Sequence, residues 1–335
     1  MSGADRRPPV PWSRALGADV TDTTSRALEA TEARRRQFAL VGGLVVVAAC
    51  VALALAADGG SGLGVVDAIV LGLVEGITEY LPVSSTGHLL VTQRLLGMGD
   101  GAAATAADTF VIAIQVGAIA AVLGLYWNRV WSLVLGLVGR DADGRALLVR
   151  ILVAFSPAAL VGFLLEDTIK DRLFGPWPVV VAWAVGGAAL LVWRPAPGTR
   201  GLLDMTMRDA LVIGLAQMVA MWPGTSRSLV TIVAALAVGL SMAAAVEFSF
   251  LLGLLTLSAA TVYDLGQNGG EVLDQFGLAT PLLGVLVAGV SAGLAVKWLV
   301  SYLRTRPLTI FGWYRLGVAA ATVVLLVTGT IESGR

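Results

Sequence analysis

The chain returns repeatedly to stretches of close to twenty residues that carry almost no charge: Phe38–Ala57, Thr109–Trp127, Ile151–Leu165, Pro178–Trp193, Ala243–Tyr263, Pro281–Val300 and Ile310–Thr328. A bilayer's hydrocarbon core is about 30 Å thick and takes roughly 20 apolar helical residues to cross. The chain therefore reads as an all-α polytopic membrane protein. Composition agrees, with 57% of the 335 residues hydrophobic, 14% charged and a mean hydropathy of +0.83. A formal net charge of +0 offers no basic surface for nucleic acid. The single cysteine, Cys50, lies within an apolar run, which excludes an internal disulfide and any CxxC metal or redox motif.

Residues 1–37 are polar, rich in Arg, Pro, Ser and Thr, and end on Arg34-Arg35-Arg36. They read as a disordered cytoplasmic tail. The run 38–57 follows as an extra N-terminal transmembrane helix. It is longer than the core of a signal peptide, although the small residues of "ALALAA" also suit cleavage. The connections differ in charge. Residues 128–150 hold Arg129, Arg140, Arg145 and Arg150; residues 194–209 hold Arg194, Arg200 and Arg208; the 301–309 turn holds Arg304 and Arg306. By contrast, 264–280 has three acids and no Lys or Arg. The positive-inside rule puts the Arg-rich connections in the cytoplasm and the acidic one outside.

Those sides agree only if two further apolar segments, about 65–99 and 210–240, leave on the side they entered. Each is interrupted by proline and a polar cluster, "EGITEYLPVSSTGHLL" from Glu75 and "WPGTSRS" from Trp222. Irregular backbone at membrane depth is tolerated only where protein or a wet cavity satisfies it, so both read as re-entrant hairpins. They also resemble each other. Gly72-Leu73 matches Gly214-Leu215, Glu75 matches Gln217, Pro82 matches Pro223 after a one-residue gap, and Ser85 then matches Ser226. The expected architecture is an inverted-topology repeat, about 65–193 and 210–328, with six core transmembrane helices and two re-entrant hairpins. In such folds the site lies near the bilayer midplane, between broken helices.

The polar clusters carry the chemistry. Glu75 and Glu79 are four residues apart and share a helix face. Two acids there either share a proton or hold a cation between them. Pro82 and Pro223-Gly224 break the helices, and the serines and threonines that follow are good caps for new ones. Helix N-termini are ready anion sites, and Arg227 adds a fork suited to phosphate oxygens. His88, the only histidine, lies one turn after Ser85 and suits proton relay or attack on phosphorus.

"EGITEYLPVSSTGHLLV" and "WPGTSRS", joined by "FVIAIQVGAI" and "EFSFLL", resemble the undecaprenyl-diphosphate phosphatase family linked to bacitracin resistance, over roughly residues 65–330. Three differences stand out: Leu229 follows the second Ser of the Arg motif, where the family usually has a small residue, often Gly; Met242 stands where an Arg is common; and the N-terminal 64 residues, with their extra span, are unusual for the family. The resemblance implies dephosphorylation of the C55 isoprenyl diphosphate carrier lipid, in the bacterial plasma membrane, at a site open to the external face. It implies a catalytic set of Glu75, Glu79, Ser85, His88 and Arg227, with Ser84, Thr86, Ser226, Ser228 and Thr231 as phosphate contacts. It also implies a divalent cation, Mg²⁺ or Ca²⁺, held by Glu75 and Glu79 with diphosphate oxygens. The nucleophile stays open between Ser85, His88 and water, and a homodimer stays open too. The alternative is a polyprenyl-phosphate transporter of the same architecture, which needs cations and helix termini but no nucleophile.

Overall fold

A computed structural model of the chain describes residues 45–46, 48–55, 64–98, 101–193 and 196–333. The expected tail, 1–37, and much of the run 38–57 lie outside the described residues; 45–46 and 48–55 are helical, and Cys50 is free. The chain divides into a unit ending at Ala52 and a second one from Leu53 to Arg335.

The regular structure described in the second unit is helical, with one isolated parallel bridge between Arg200 and Leu240 besides. Its elements are α1 (Val65–Thr78), α2 (Ser85–Leu95), α3 (Gly101–Leu125), α4 (Trp127–Leu137), α5 (Ala142–Leu173), α6 (Pro176–Val192), α7 (Met207–Gln217), α8 (Arg227–Ala237), α9 (Met242–Phe276), α10 (Ala279–Leu303) and α11 (Thr309–Val327). Among the described residues five helices are long and apolar enough to cross a bilayer, in α3, α5, α9, α10 and α11. The number reaches six if Asp167–Leu173 and α6, bent by 87° to each other, form one span.

Two connections differ from a plain loop. The Arg-rich stretch 128–150 is largely helical, because Asp141 caps α5: the Gly144 N–H donates to its Oδ1 at 2.8 Å and Ser132 Oγ to its Oδ2 at 2.6 Å. The acidic stretch 264–280 is helical as far as Phe276. Within α5, Pro157 cannot donate to the Val153 carbonyl. Ser156 Oγ supplies that bond instead, at 3.0 Å.

Between membrane helices apolar burial is a weak driving force, since lipid is equally apolar, so close approach of small residues does the packing. Helix α10 lies against α1 and α3 in this way. A Cβ on Gly76 of α1 would stand 2.2 Å from the Ala288 carbonyl oxygen, and one on Gly117 of α3 2.1 Å from that of Val285. Helix α7 meets α5 likewise, a Cβ on Gly214 falling 2.4 Å from the Ala154 carbonyl oxygen. Helices α6 and α11 pack together, and α9 packs on α3 and α8.

This frame holds two helix breaks, α1 to α2 and α7 to α8. In the first, Glu79 keeps helical angles beyond α1, and the chain then turns through Pro82 to Ser84 at φ 74°. In the second, a 3₁₀ turn over Met218–Met221 leads through Pro223 and Gly224 (φ 92°) to Ser226 at φ 76°. Each serine caps the helix it opens, Ser84 Oγ accepting from the Gly87 N–H at 3.4 Å and Ser226 Oγ from the Leu229 N–H at 3.3 Å. The caps thus pair Ser84 with Ser226, at the same sequence spacing as Gly72 with Gly214. The register read from the prolines, Ser85 with Ser226, is one residue out. The second break has one more residue between proline and cap, which Gly224 absorbs at a φ that costs glycine nothing.

Candidate active site

Breaking a helix strands carbonyls, and where they are buried each needs a donor. Trp183 Nε1 donates to Val83 O at 2.8 Å. Ser228 Oγ donates to Leu81 O at 2.9 Å, tying the second break to the first. Arg315 Nη2, fully buried on α11, donates to Ala182 O and Gly224 O, both at 2.9 Å. Both helix N-termini are thereby fixed in place.

Ser85 and Arg227 are the first residues of α2 and α8, and Glu79 lies between them. Ser85 Oγ donates to Glu79 Oε2, and Arg227 Nη2 donates to Glu79 Oε1 at 3.0 Å. Arg227 Nη1 also donates to Ser249 O at 3.3 Å, while its guanidinium lies over the Tyr80 ring, 5.6 Å from the centroid. The Arg227 and Glu79 side chains keep only 11% and 7% of their exposure. A buried ion pair stabilises a fold weakly, because desolvation offsets most of the attraction. Its position beside a hydroxyl and two helix N-termini points to chemistry.

Glu79, Ser84, Ser85, Thr86, Ser226 and Arg227 line one polar cavity of about 180 Å³. Unpaired N–H groups in the first turns of α2 and α8, with the helix dipoles, favour an anion there. Thus six of the residues singled out in the sequence come together. Glu75 lies behind them, 1% exposed, and its Oε1 has no partner among the described residues. Such an oxygen calls for a proton or a cation.

Two expected phosphate contacts face elsewhere. Ser228 and Thr231 are fully buried and absent from the cavity wall. The Ser228 hydroxyl serves Leu81 O; that of Thr231 donates to Arg227 O at 2.8 Å and pairs with Ser249 Oγ at 2.7 Å. They hold α8 against the first break and α9. His88 is also turned away from Ser85. Its Nδ1 lies 2.7 Å from Ser84 O and its Nε2 2.8 Å from the Tyr314 hydroxyl. A carbonyl only accepts, so Nδ1 carries the proton and Nε2 accepts from Tyr314. The ring stacks on Tyr314 and meets Trp183 edge-on, with centroids 5.7 and 4.9 Å away. The partner of Ser85 is Glu79, and His88 braces the strained cap before it.

The sequence reading passed over Gln115, which lines the cavity and accepts from Thr261 Oγ1 at 2.9 Å, and over Tyr314 and Arg315. An arginine inside the apolar run Ile310–Thr328 was the available signal for the last pair. Among the described residues no group of three or more His, Cys, Asp or Glu gathers as a metal cage.

Fold and site together define a multi-pass helical membrane protein with a buried polar cavity, favourable to an anion, between two broken helices. Residues 68–321 match the family described as bacitracin resistance protein BacA. A Sorangium cellulosum protein named undecaprenyl-diphosphatase is 45% identical over 266 residues, covering 77% of this chain and 85% of the relative. One of the same name from Bradyrhizobium diazoefficiens is 40% identical over 271 residues, 78% of this chain and 97% of the relative. Undecaprenyl-diphosphatase 2 of Rhodospirillum rubrum is 42% identical over 271 residues, 80% of this chain and 97% of the relative. The chain belongs to the BacA family.

Proposed function

We propose that the chain cleaves the phosphoanhydride of undecaprenyl diphosphate to undecaprenyl phosphate and inorganic phosphate, returning the carrier lipid to cell-wall synthesis and conferring bacitracin resistance. The names of its relatives support the substrate. The observation that carries the reaction type is the hydrogen-bonded row Ser85, Glu79, Arg227 between two helix N-termini.

In this reading Ser85 Oγ bonds to the terminal phosphorus as the bridging P–O bond breaks, and Glu79 takes the Ser85 proton. Arg227 and the first-turn N–H groups stabilise the charge that builds on the phosphoryl oxygens and on the departing lipid monophosphate. Water then hydrolyses the phosphoserine. His88, through Ser84, keeps the hydroxyl aimed. The donor set of Glu75, whose Oε1 has no partner among the described residues, and Glu79 fits a hard divalent cation such as Mg²⁺ or Ca²⁺, which when bound would neutralise diphosphate charge.

We infer further that 65–193 and 210–328 are inverted repeats whose breaks re-enter from opposite faces of the plasma membrane, with the site open outside. The matched caps support the repeat. The connection assigned outside begins at Asp264, which lines a cavity that reaches Arg227.

The test is phosphate release from isoprenyl diphosphates by detergent-purified protein. Wild type should turn over, and Ser85→Ala should fall to background while still binding the lipid diphosphate. Turnover within threefold of wild type in Ser85→Ala would remove serine as the nucleophile.

A further inference from the structure

Gln217 ends α7 and is 2% exposed, yet neither its Oε1 nor its Nε2 has a partner among the described residues. A buried amide left unpaired has given up its hydrogen bonds to water for nothing, so the position is unfavourable unless something else completes it. The side chain lines a second cavity, of about 410 Å³, shared with Arg227. That cavity is otherwise largely apolar, walled by Phe155, Phe163, Phe174, Met221 and Tyr263. Arg227 and Ala220 also line the polar cavity beside Ser85, so the guanidinium stands at the junction of the two.

A lipid diphosphate has the same order of parts: a terminal phosphate, a second phosphate and an apolar chain. With the terminal phosphate at Ser85 and the chain among the aromatic walls, the second phosphate falls at the junction. We propose that Gln217 binds this lipid-side phosphate, donating from Nε2 to a phosphate oxygen, and that the apolar cavity takes the first isoprene units. This rests on the phosphatase reading above.

The residue type fits the task. In the matched segments Gln217 occupies the place of Glu75. A carboxylate at 217 would repel the phosphate that leaves with the lipid. A neutral amide donates to that phosphate without adding charge, and its Oε1 can accept from a bound water or a protonated phosphate oxygen. One repeat thus offers an acid and the other an amide.

The experiment uses the full chain in detergent and two products as probes, a short isoprenyl monophosphate for the lipid-side position and inorganic phosphate for the terminal one. Inhibition constants are measured for wild type, Gln217→Leu, which keeps the bulk and loses the hydrogen bonds, and Gln217→Glu. Expected is a rise of at least tenfold in the constant for the isoprenyl monophosphate in both variants, with that for inorganic phosphate within twofold of wild type. An unchanged isoprenyl monophosphate constant overturns the assignment, and so does an equal rise for both probes, which would mark general loosening. If the wild type releases no phosphate from any isoprenyl diphosphate, the phosphatase reading fails by itself. The same comparison made by thermal shift with each probe then still decides whether Gln217 recognises the lipid-linked phosphate.

Discussion

Gly253, on α9, sits under the Arg227 guanidinium, and replacing it with alanine tests the site without touching a polar group. A Cβ at 253 would fall 1.6 Å from Nη1, 2.4 Å from Cζ and 2.7 Å from Nη2 of Arg227. Ordinary contact needs about 3.5 Å, so the guanidinium must retreat by roughly 2 Å. Its bonds to Glu79 at 3.0 Å and to Ser249 O at 3.3 Å do not survive such a shift. The cavities on either side leave it somewhere to go, and alanine favours a helix over glycine by about 0.5–1 kcal/mol. Stability should fall by less than the roughly 3–5 kcal/mol of breaking a buried pair outright. Losing a positioned charge-stabilising donor costs about 10²–10³ in kcat, or roughly 2.7–4 kcal/mol. Phosphate release and the thermal midpoint of the purified protein measure both quantities. Because the two changes remove one contact, Gly253→Ala combined with Arg227→Ala should be scarcely worse than Arg227→Ala alone. Activity within threefold of wild type in Gly253→Ala would refute the reasoning, since Arg227 would then not be needed where it stands.

Glu79→Gln removes the carboxylate that accepts from both Ser85 and Arg227, so turnover should drop to background in folded protein; excess chelator should abolish wild-type turnover, and full activity in its presence would eliminate the cation. Ser226 holds φ 76°, which glycine adopts freely, so Ser226→Gly should keep the thermal stability within about 1 kcal/mol of wild type. Ser226→Val loses the cap and places a β-branched residue there, and should cost about 2 kcal/mol or more by chemical denaturation. Single cysteines in place of Arg140 and Gln267, in a Cys50→Ser background, should label from opposite faces of sealed vesicles; labelling of both from one face would end the proposed topology.

Much of this protein is written locally. Hydropathy over about twenty residues sets where helices cross, because the bilayer leaves the backbone no other way to satisfy itself. Pro82 and Pro223 mark the breaks, and the serines after them mark the new helix starts, since caps and proline act within one turn. The spacing of Glu75 and Glu79 follows from helix geometry alone. Local rules do not extend to partners. Glu79 meets Arg227 from 148 residues away, and His88 meets Tyr314 across 226. Which hydroxyls face the cavity depends on how α8 is rotated against Leu81 and α9, which is why Ser226 lines it while Ser228 and Thr231 are turned inward. Spacing placed His88 beside Ser85, but the left-handed Ser84 cap and the packing of α11 turned the ring away. A side chain's reach is a property of its own residue; what it reaches is settled only when distant helices pack closely enough to leave it one direction.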